Sequence, residues 1–222
     1  MLQTIDGKHH AKTILSSVEE KIKIHLNEGR RPPCLAVVLV GEDQASRIYV
    51  SRKIKTCEKV GIHSKSFYLK HIVTQEEVLE LISSLNNDCK IDAILLQLPL
   101  PEHLNEREIL EKISFVKDVD GLTAINQGRL FINTPTHIPC TPQGVMHLLD
   151  QTSISLSGKV ACVIGRSTLV GSPIARLLLQ ANASVIQIHS KTVEPKKLCL
   201  LADVVVVACG KACFVDDTWI KK

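Results

Sequence analysis

Ala11, Ile14, Leu15, Val18 and Ile22 recur at three- and four-residue steps, so the chain is predicted to open with an amphipathic helix. That helix ends near Gly29, because Pro32-Pro33 cannot continue it. Cys34–Val40 is a continuous apolar run short enough for a strand buried on both faces. A polar turn, Gly41-Glu42-Asp43, leads into a second helix over 45–60, stopped by Gly61. Residues 64–69 alternate and read as a strand. Thr74 and Glu77 form a capping box ahead of a helix whose buried stripe is Val78, Leu81, Ile82 and Leu85. Residues 91–98 form another buried strand, broken by Leu98-Pro99-Leu100-Pro101. Asn105 caps the next helix, with Glu108 at the capping-box position and Leu104 and Ile109 placed as a hydrophobic staple.

From Val116 to Cys140 no period is visible, and a long irregular stretch inside a compact enzyme is usually functional. Thr141-Pro142 starts a helix, with proline at the favoured first position. After that the pattern simplifies: strand 159–164, helix 173–180, strand 184–189, helix 194–201, strand 203–208. This β-α-β-α-β order predicts a right-handed parallel sheet. The fold expected is α/β in two domains. An N-terminal α/β substrate domain covers 1–138, and a C-terminal Rossmann-like dinucleotide-binding domain covers 139–222.

Composition narrows the chemistry. Aromatic residues are 3% of the 222, so aliphatic side chains must fill the cores. The net charge of +4 is only mildly basic, with no Lys/Arg run and few rings to stack on bases. Nucleic acid is therefore not expected as a partner, and an anionic small molecule is. The N-terminus lacks a leader-like apolar segment, and no apolar run is long enough to span a membrane. The eight cysteines form no C-x-x-C pair and mostly sit in apolar runs, which reads as buried free thiols in a reducing, cytoplasmic setting.

Gly165-Arg166-Ser167-Thr168-Leu169-Val170-Gly171 joins a buried strand to a helix. Backbone N–H groups at a helix start attract phosphate, and glycine lets a pyrophosphate approach the main chain. The spacing departs from G-x-G-x-x-G: Ser167 replaces the middle glycine, and the last glycine comes one residue late. A merely tight turn is the other reading of this pattern. The next strand ends in His189-Ser190-Lys191-Thr192, with no acid to hold a ribose 2′-hydroxyl. Arg166, Ser190 and Lys191 offer charge-assisted hydrogen bonds to a 2′-phosphate instead, which favours NADP over NAD.

In the first half, Tyr49 and Lys53 are one turn apart on a helix. Such a pair is either a half-buried Tyr beside a solvated Lys or a proton-transfer site. Gln97 ends a buried strand, where open α/β sheets place ligands. Lys117-Asp118-Val119-Asp120-Gly121 carries two carboxylates that are either turn formers or partners for the N–H groups of a heterocycle. No third ligand has metal-site spacing, and the adjacent His9-His10 diverge on a helix, so no metal is expected.

Taken in order, these segments resemble the bifunctional methylenetetrahydrofolate dehydrogenase/methenyltetrahydrofolate cyclohydrolase family. The stretches are Val40-Gly-Glu-Asp-Gln-Ala-Ser-Arg-Ile-Tyr-Val50 with Lys53, Gln97-Leu-Pro-Leu-Pro101, Lys117–Gly121, Pro139-Cys-Thr-Pro142, Gly165-Arg-Ser167 with Val170-Gly171, and His189-Ser190. The resemblance implies a homodimeric one-carbon enzyme that uses tetrahydrofolate derivatives and serves purine, methionine and histidine synthesis. It implies oxidation of 5,10-methylenetetrahydrofolate with NADP, then hydrolysis of the methenyl product to 10-formyltetrahydrofolate. It implies Lys53 as the proton-transfer residue, Tyr49 packed on the folate, Gln97 bonded to Lys53, and Asp120 on the pterin. Gly165, Arg166, Ser167, Val170, Gly171 and Ser190 would bind the cofactor, with Arg166 and Ser190 on its 2′-phosphate. A lysine working near neutral pH needs surroundings that disfavour its ammonium form, and Tyr49 would supply part of that drying.

One departure stands against the pattern. The family continues past the strand at 203–208 into a further strand, a glycine-rich closing loop and a helix, whereas this chain stops at Lys222. A chain cut there is expected to turn over poorly as a dehydrogenase, or to act as a weakly active folate- or nucleotide-binding module. A short-chain dehydrogenase also uses Tyr-x-x-x-Lys, but it places its glycine turn before that pair, the reverse of the order here.

Overall fold

The structure, a computed structural model, describes residues 4–221. Residues 1–3 of the N-terminal stretch read above for a leader, and Lys222, lie outside it. The chain forms two compact units, one running to Val119 and one starting at Asp120. The second unit thus takes in 120–138, which the sequence reading assigns to the first domain.

The first unit contains α1 (Gly7–Asn27), β1 (Cys34–Val40), α2 (Gln44–Val60), β2 (His63–Leu69), α3 (Gln75–Asn87), β3 (Ala93–Leu96) and α4 (Glu106–Lys112). Its three strands are parallel in the order β2-β1-β3. β1 is central, and Ala36 to Val40 are nearly fully buried, as an apolar run covered on both faces requires. Val50 of α2 packs on Val37, Leu39 and Leu95, which seats α2 across the sheet. Asp43 caps α2, its Oδ2 accepting the Ser46 N–H at 2.7 Å. The Thr74/Glu77 capping box forms as expected.

The Asn105 box forms by half. Asn105 accepts from Glu108 N–H, but its own N–H goes to Gln75 Oε1 of α3 at 2.9 Å, and Gln75 Nε2 donates to Glu108. A residue 30 positions away completes this cap, so the two helices are tied end to end.

The second unit contains α5 (Ala124–Phe131), α6 (Cys140–Asp150), β4 (Val160–Ile164), α7 (Gly171–Gln180), β5 (Ser184–Ile188), α8 (Pro195–Cys199) and β6 (Val204–Val207), then a 3₁₀ turn at Asp217–Trp219. The sheet is parallel, β5-β4-β6, with α7 packed on β4 and β5. Ile174 and Leu178 of α7 bury against Ala161 and Val163 on one face. Cys162, Ile164, Ile188 and Cys199 form the core on the other.

Three expectations need correction. The stretch 116–140 is not all loop: Thr123 caps α5, whose Asn126 and Leu130 are buried. α5 packs on α7, where Gln180 Nε2 donates to Leu130 O at 2.7 Å and Arg176 lies 4.8 Å from the Phe131 ring centre. α6 begins at Cys140, so Pro142 is its third residue rather than its first. The cysteines are all free, but only Cys34, Cys162 and Cys199 are buried; Cys89, Cys140 and Cys213 are exposed.

Candidate functional site

In the first unit the strand ends meet the Tyr49/Lys53 helix. Gln97 follows β3 and keeps the ladder going, its N–H donating to Val38 O at 2.9 Å. Its side-chain amide is oriented: Nε2 donates to Leu98 O at 2.7 Å, which turns Oε1 toward Lys53, and Nζ donates to it at 3.4 Å. Both side chains are half-buried. The arrangement gives Lys53 a neutral acceptor, which holds the amine in place without adding a negative charge beside it. Tyr49, one turn earlier on α2, is 60% exposed, so its ring does little within this unit to dry Lys53.

The Lys117–Gly121 segment divides by role. Lys117 Nζ donates to the carbonyl oxygens of Leu85, Asn86 and Asp88 at 2.8–3.0 Å, capping the end of α3 where a cation is favoured. Asp118 is 2% exposed and its backbone bridges to Ile94 beside β3. Asp120 opens the second unit, is half-buried, and accepts from Cys140 Sγ at 3.7 Å. Of the two carboxylates, Asp120 is the one that reaches solvent.

In the second unit the phosphate turn is built by two glycines. Gly165 has φ +133°, and a Cβ there would overlap the Ala208 carbonyl oxygen and lie 2.9 Å from its carbon. A Cβ on Gly171 would lie 2.5 Å from Gly165 C and O. The first glycine lets the end of β6 press against the turn. The second lets α7 start against the turn, the close packing that the fingerprint's last glycine provides, although it arrives one residue late. Ser167 Oγ accepts the N–H groups of Val170 and Gly171 at 3.2 and 3.3 Å. Among the described residues nothing accepts from the N–H groups of Arg166, Ser167, Thr168 and Leu169. Four unpaired donors and a backbone with no room for a side chain fit a phosphate group.

A cavity of about 540 Å³ opens beside this turn at the carboxyl ends of β4, β5 and β6. Gly165, Arg166, Ser167, His189 and Ser190 line it, together with Thr192, Pro195, Cys209, Lys211 and Phe214. The turn after β5 is tight: Thr192 Oγ1 accepts His189 N–H, and His189 Nδ1 accepts Lys191 N–H. Lys191, read from sequence as a phosphate ligand, is not on the cavity wall. Lys211 and Phe214 are, and no sequence pattern marked them. Val170, the cap residue of α7, contributes backbone at the end of the turn. Among the described residues no three His, Cys, Asp or Glu side chains converge as a metal site would require, and no helix is long and apolar enough to cross a membrane.

Two parallel α/β units, one with a lysine–amide pair at its strand ends and one with a dinucleotide-type phosphate turn, define the class of a nucleotide-dependent two-domain enzyme. Comparison with known proteins makes the assignment specific. Residues 5–120 match the tetrahydrofolate dehydrogenase/cyclohydrolase catalytic domain, and residues 139–222 match the NAD(P)-binding domain of the same family. The chain belongs to that family. It is 47% identical to the bifunctional protein FolD of Campylobacter hominis over 99% of its own length and 77% of the relative's. Its fold matches the bifunctional methylenetetrahydrofolate dehydrogenase/cyclohydrolase of Campylobacter jejuni with a TM-score of 0.97 at 41% identity, covering 100% of this chain and 79% of that one. It matches the Trypanosoma brucei enzyme, solved with NADP and an inhibitor, with a TM-score of 0.94 at 33% identity, covering 99% and 75%.

Proposed function

We propose that this chain oxidises 5,10-methylenetetrahydrofolate with NADP and hydrolyses the methenyl product to 10-formyltetrahydrofolate. The observation that carries the reading is the Lys53–Gln97 pair, set at the carboxyl ends of one parallel sheet in a chain whose other sheet ends in a phosphate turn. NADP, when bound, takes the hydride from the methylene carbon. The remaining work belongs to side chains. Lys53 Nζ gives and takes the proton as water adds to the methenyl carbon, and Gln97 Oε1 keeps the amine aimed at it. Tyr49 offers an exposed ring to the flat folate, an area it gains on binding because little of it is buried without ligand. The Asp120 carboxylate receives the N–H donors of the pterin.

Arg166 and Ser190 hold the 2′-phosphate, Gly165 and Gly171 admit the cofactor to the main chain, and Ser167 and Val170 complete the turn. Among the described residues no carboxylate lines the cavity, which supports NADP over NAD, since an acid there would repel the 2′-phosphate. The protein works in the cytoplasm as a homodimer.

Lys53→Met tests the reading. Cyclohydrolase activity is expected to vanish while NADP affinity, measured by titration, stays within twofold of the parent. Normal hydrolysis by that variant would remove Lys53 from the mechanism. A parent chain that binds NADP and folate without turning over would be a binding module instead.

A further inference from the structure

The cofactor cavity has a second cation that the turn and the 2′-phosphate residues do not account for. Lys211 lies on its wall, three residues past Ala208, whose carbonyl oxygen presses on Gly165. The loop that carries Lys211 is therefore seated against the phosphate turn. Its other end is anchored as well: the Phe214 ring lies tilted against Trp219 with centres 5.2 Å apart, and Trp219 packs on the Cys162–Ile188 core. Among the described residues no carboxylate pairs with Lys211, and none lines the cavity.

Strand order decides which phosphate this cation meets. β4 is central, with β5 on one side and β6 on the other. Ser190 follows β5, so the 2′-phosphate lies on that side. Lys211 follows β6, on the opposite side of the turn. The geometry points to Lys211 as the ligand of the pyrophosphate, the part that NADP and NAD share. This rests on the NADP reading of the cavity. Lys211 raises affinity for both dinucleotides equally, and Arg166 discriminates between them.

Calorimetric titration of the full chain with NADP and with NAD tests this. Lys211→Met is expected to weaken both by about the same factor, roughly tenfold, the low end for a charged hydrogen bond. Lys211→Arg should recover most of the loss. Arg166→Ala, run alongside, should weaken NADP far more than NAD. A loss confined to NADP in Lys211→Met would overturn the assignment, because Lys211 would then serve the 2′-phosphate. No loss in Lys211→Met, with the Arg166→Ala loss intact, would also overturn it while leaving the NADP reading standing. If neither variant changed NADP binding, the NADP reading itself would fall. Lys211 is exposed, and an unchanged urea midpoint followed by Trp219 emission verifies that each variant is folded.

Discussion

Gly165→Ala is expected to cost more than any other glycine-to-alanine change in the second unit, because it joins an unfavourable φ to the closest Cβ overlap there; Gly121 meets both penalties too, but its overlap with His137 O, at 2.9 Å, is milder. The φ of +133° is a region that side chains avoid, at about 1–3 kcal/mol. The new Cβ also overlaps the Ala208 carbonyl, which β6 cannot easily withdraw because Ala208 N–H is bonded to Ile164 O at 2.7 Å. Overpacking of that kind costs about 1–3 kcal/mol. Two other glycines separate the terms. Gly158 has φ +74° with nothing within 4 Å of a Cβ, so alanine there pays for conformation alone, about 1–2 kcal/mol. Gly171 has an ordinary helical backbone, so alanine there pays for overlap with Gly165 alone. Gly165→Ala should therefore lose about 2–6 kcal/mol, near the sum of the two. That is a large part of the stability of a small domain, about 5–15 kcal/mol. Trp219 is the only tryptophan and packs in the second unit's core, so its emission in a urea titration reads this unit. At an m-value of about 1–3 kcal/mol/M, the midpoint should fall by at least about 0.7 M. A Gly165→Ala midpoint no lower than that of Gly158→Ala would refute the close approach of β6 to the turn.

Other outcomes follow from single contacts. Gln97→Glu puts a full negative charge beside the Lys53 amine, favouring its ammonium form, so the cyclohydrolase pH–rate profile should move to higher pH; an unmoved profile would break the link between the two residues. Asp92 binds Arg31 through both oxygens at 2.6 and 2.8 Å and accepts Cys34 N–H. The Arg31 hydrogen bonds, chiefly, hold its carboxyl below the usual range. Its contribution is therefore complete above the unfolded value of about 4 and is lost as pH falls through the lower folded value. Thermal melts of Asp92→Asn should show less loss between pH 5 and pH 2, by roughly the share of one group, than the parent. For the thiols, a disulfide reagent should label Cys89, Cys140 and Cys213 quickly in the folded chain. Cys162, whose thiol burial and the neighbouring Cys199 push up to about 12, should react only after unfolding; rapid labelling would contradict its place in the core.

The sequence by itself determined the elements whose signal is local. β1 reads as buried because Cys34–Val40 is apolar throughout, α3 declares its start through Thr74 and Glu77, and the parallel second sheet follows from alternating strands and helices. The phosphate turn was legible too, since a strand, a glycine-bounded turn and a helix are contiguous. Tertiary structure decided what depends on distant partners. α5 has eight residues with Gly128 among them, and its burial comes from packing on α7, so no period announced it. Lys117 looked like part of a charged motif, but the carbonyls it caps belong to a helix end some thirty positions earlier. At Gly165 and Gly171 spacing alone allows a merely tight turn, and only the approach of β6 and α7 shows why neither position has room for a Cβ. Lys53 and Gln97, 44 positions apart, meet because β1 and β3 are neighbours and α2 crosses them. Periodicity reports which face a residue shows; which other residue waits there is set by the sheet order.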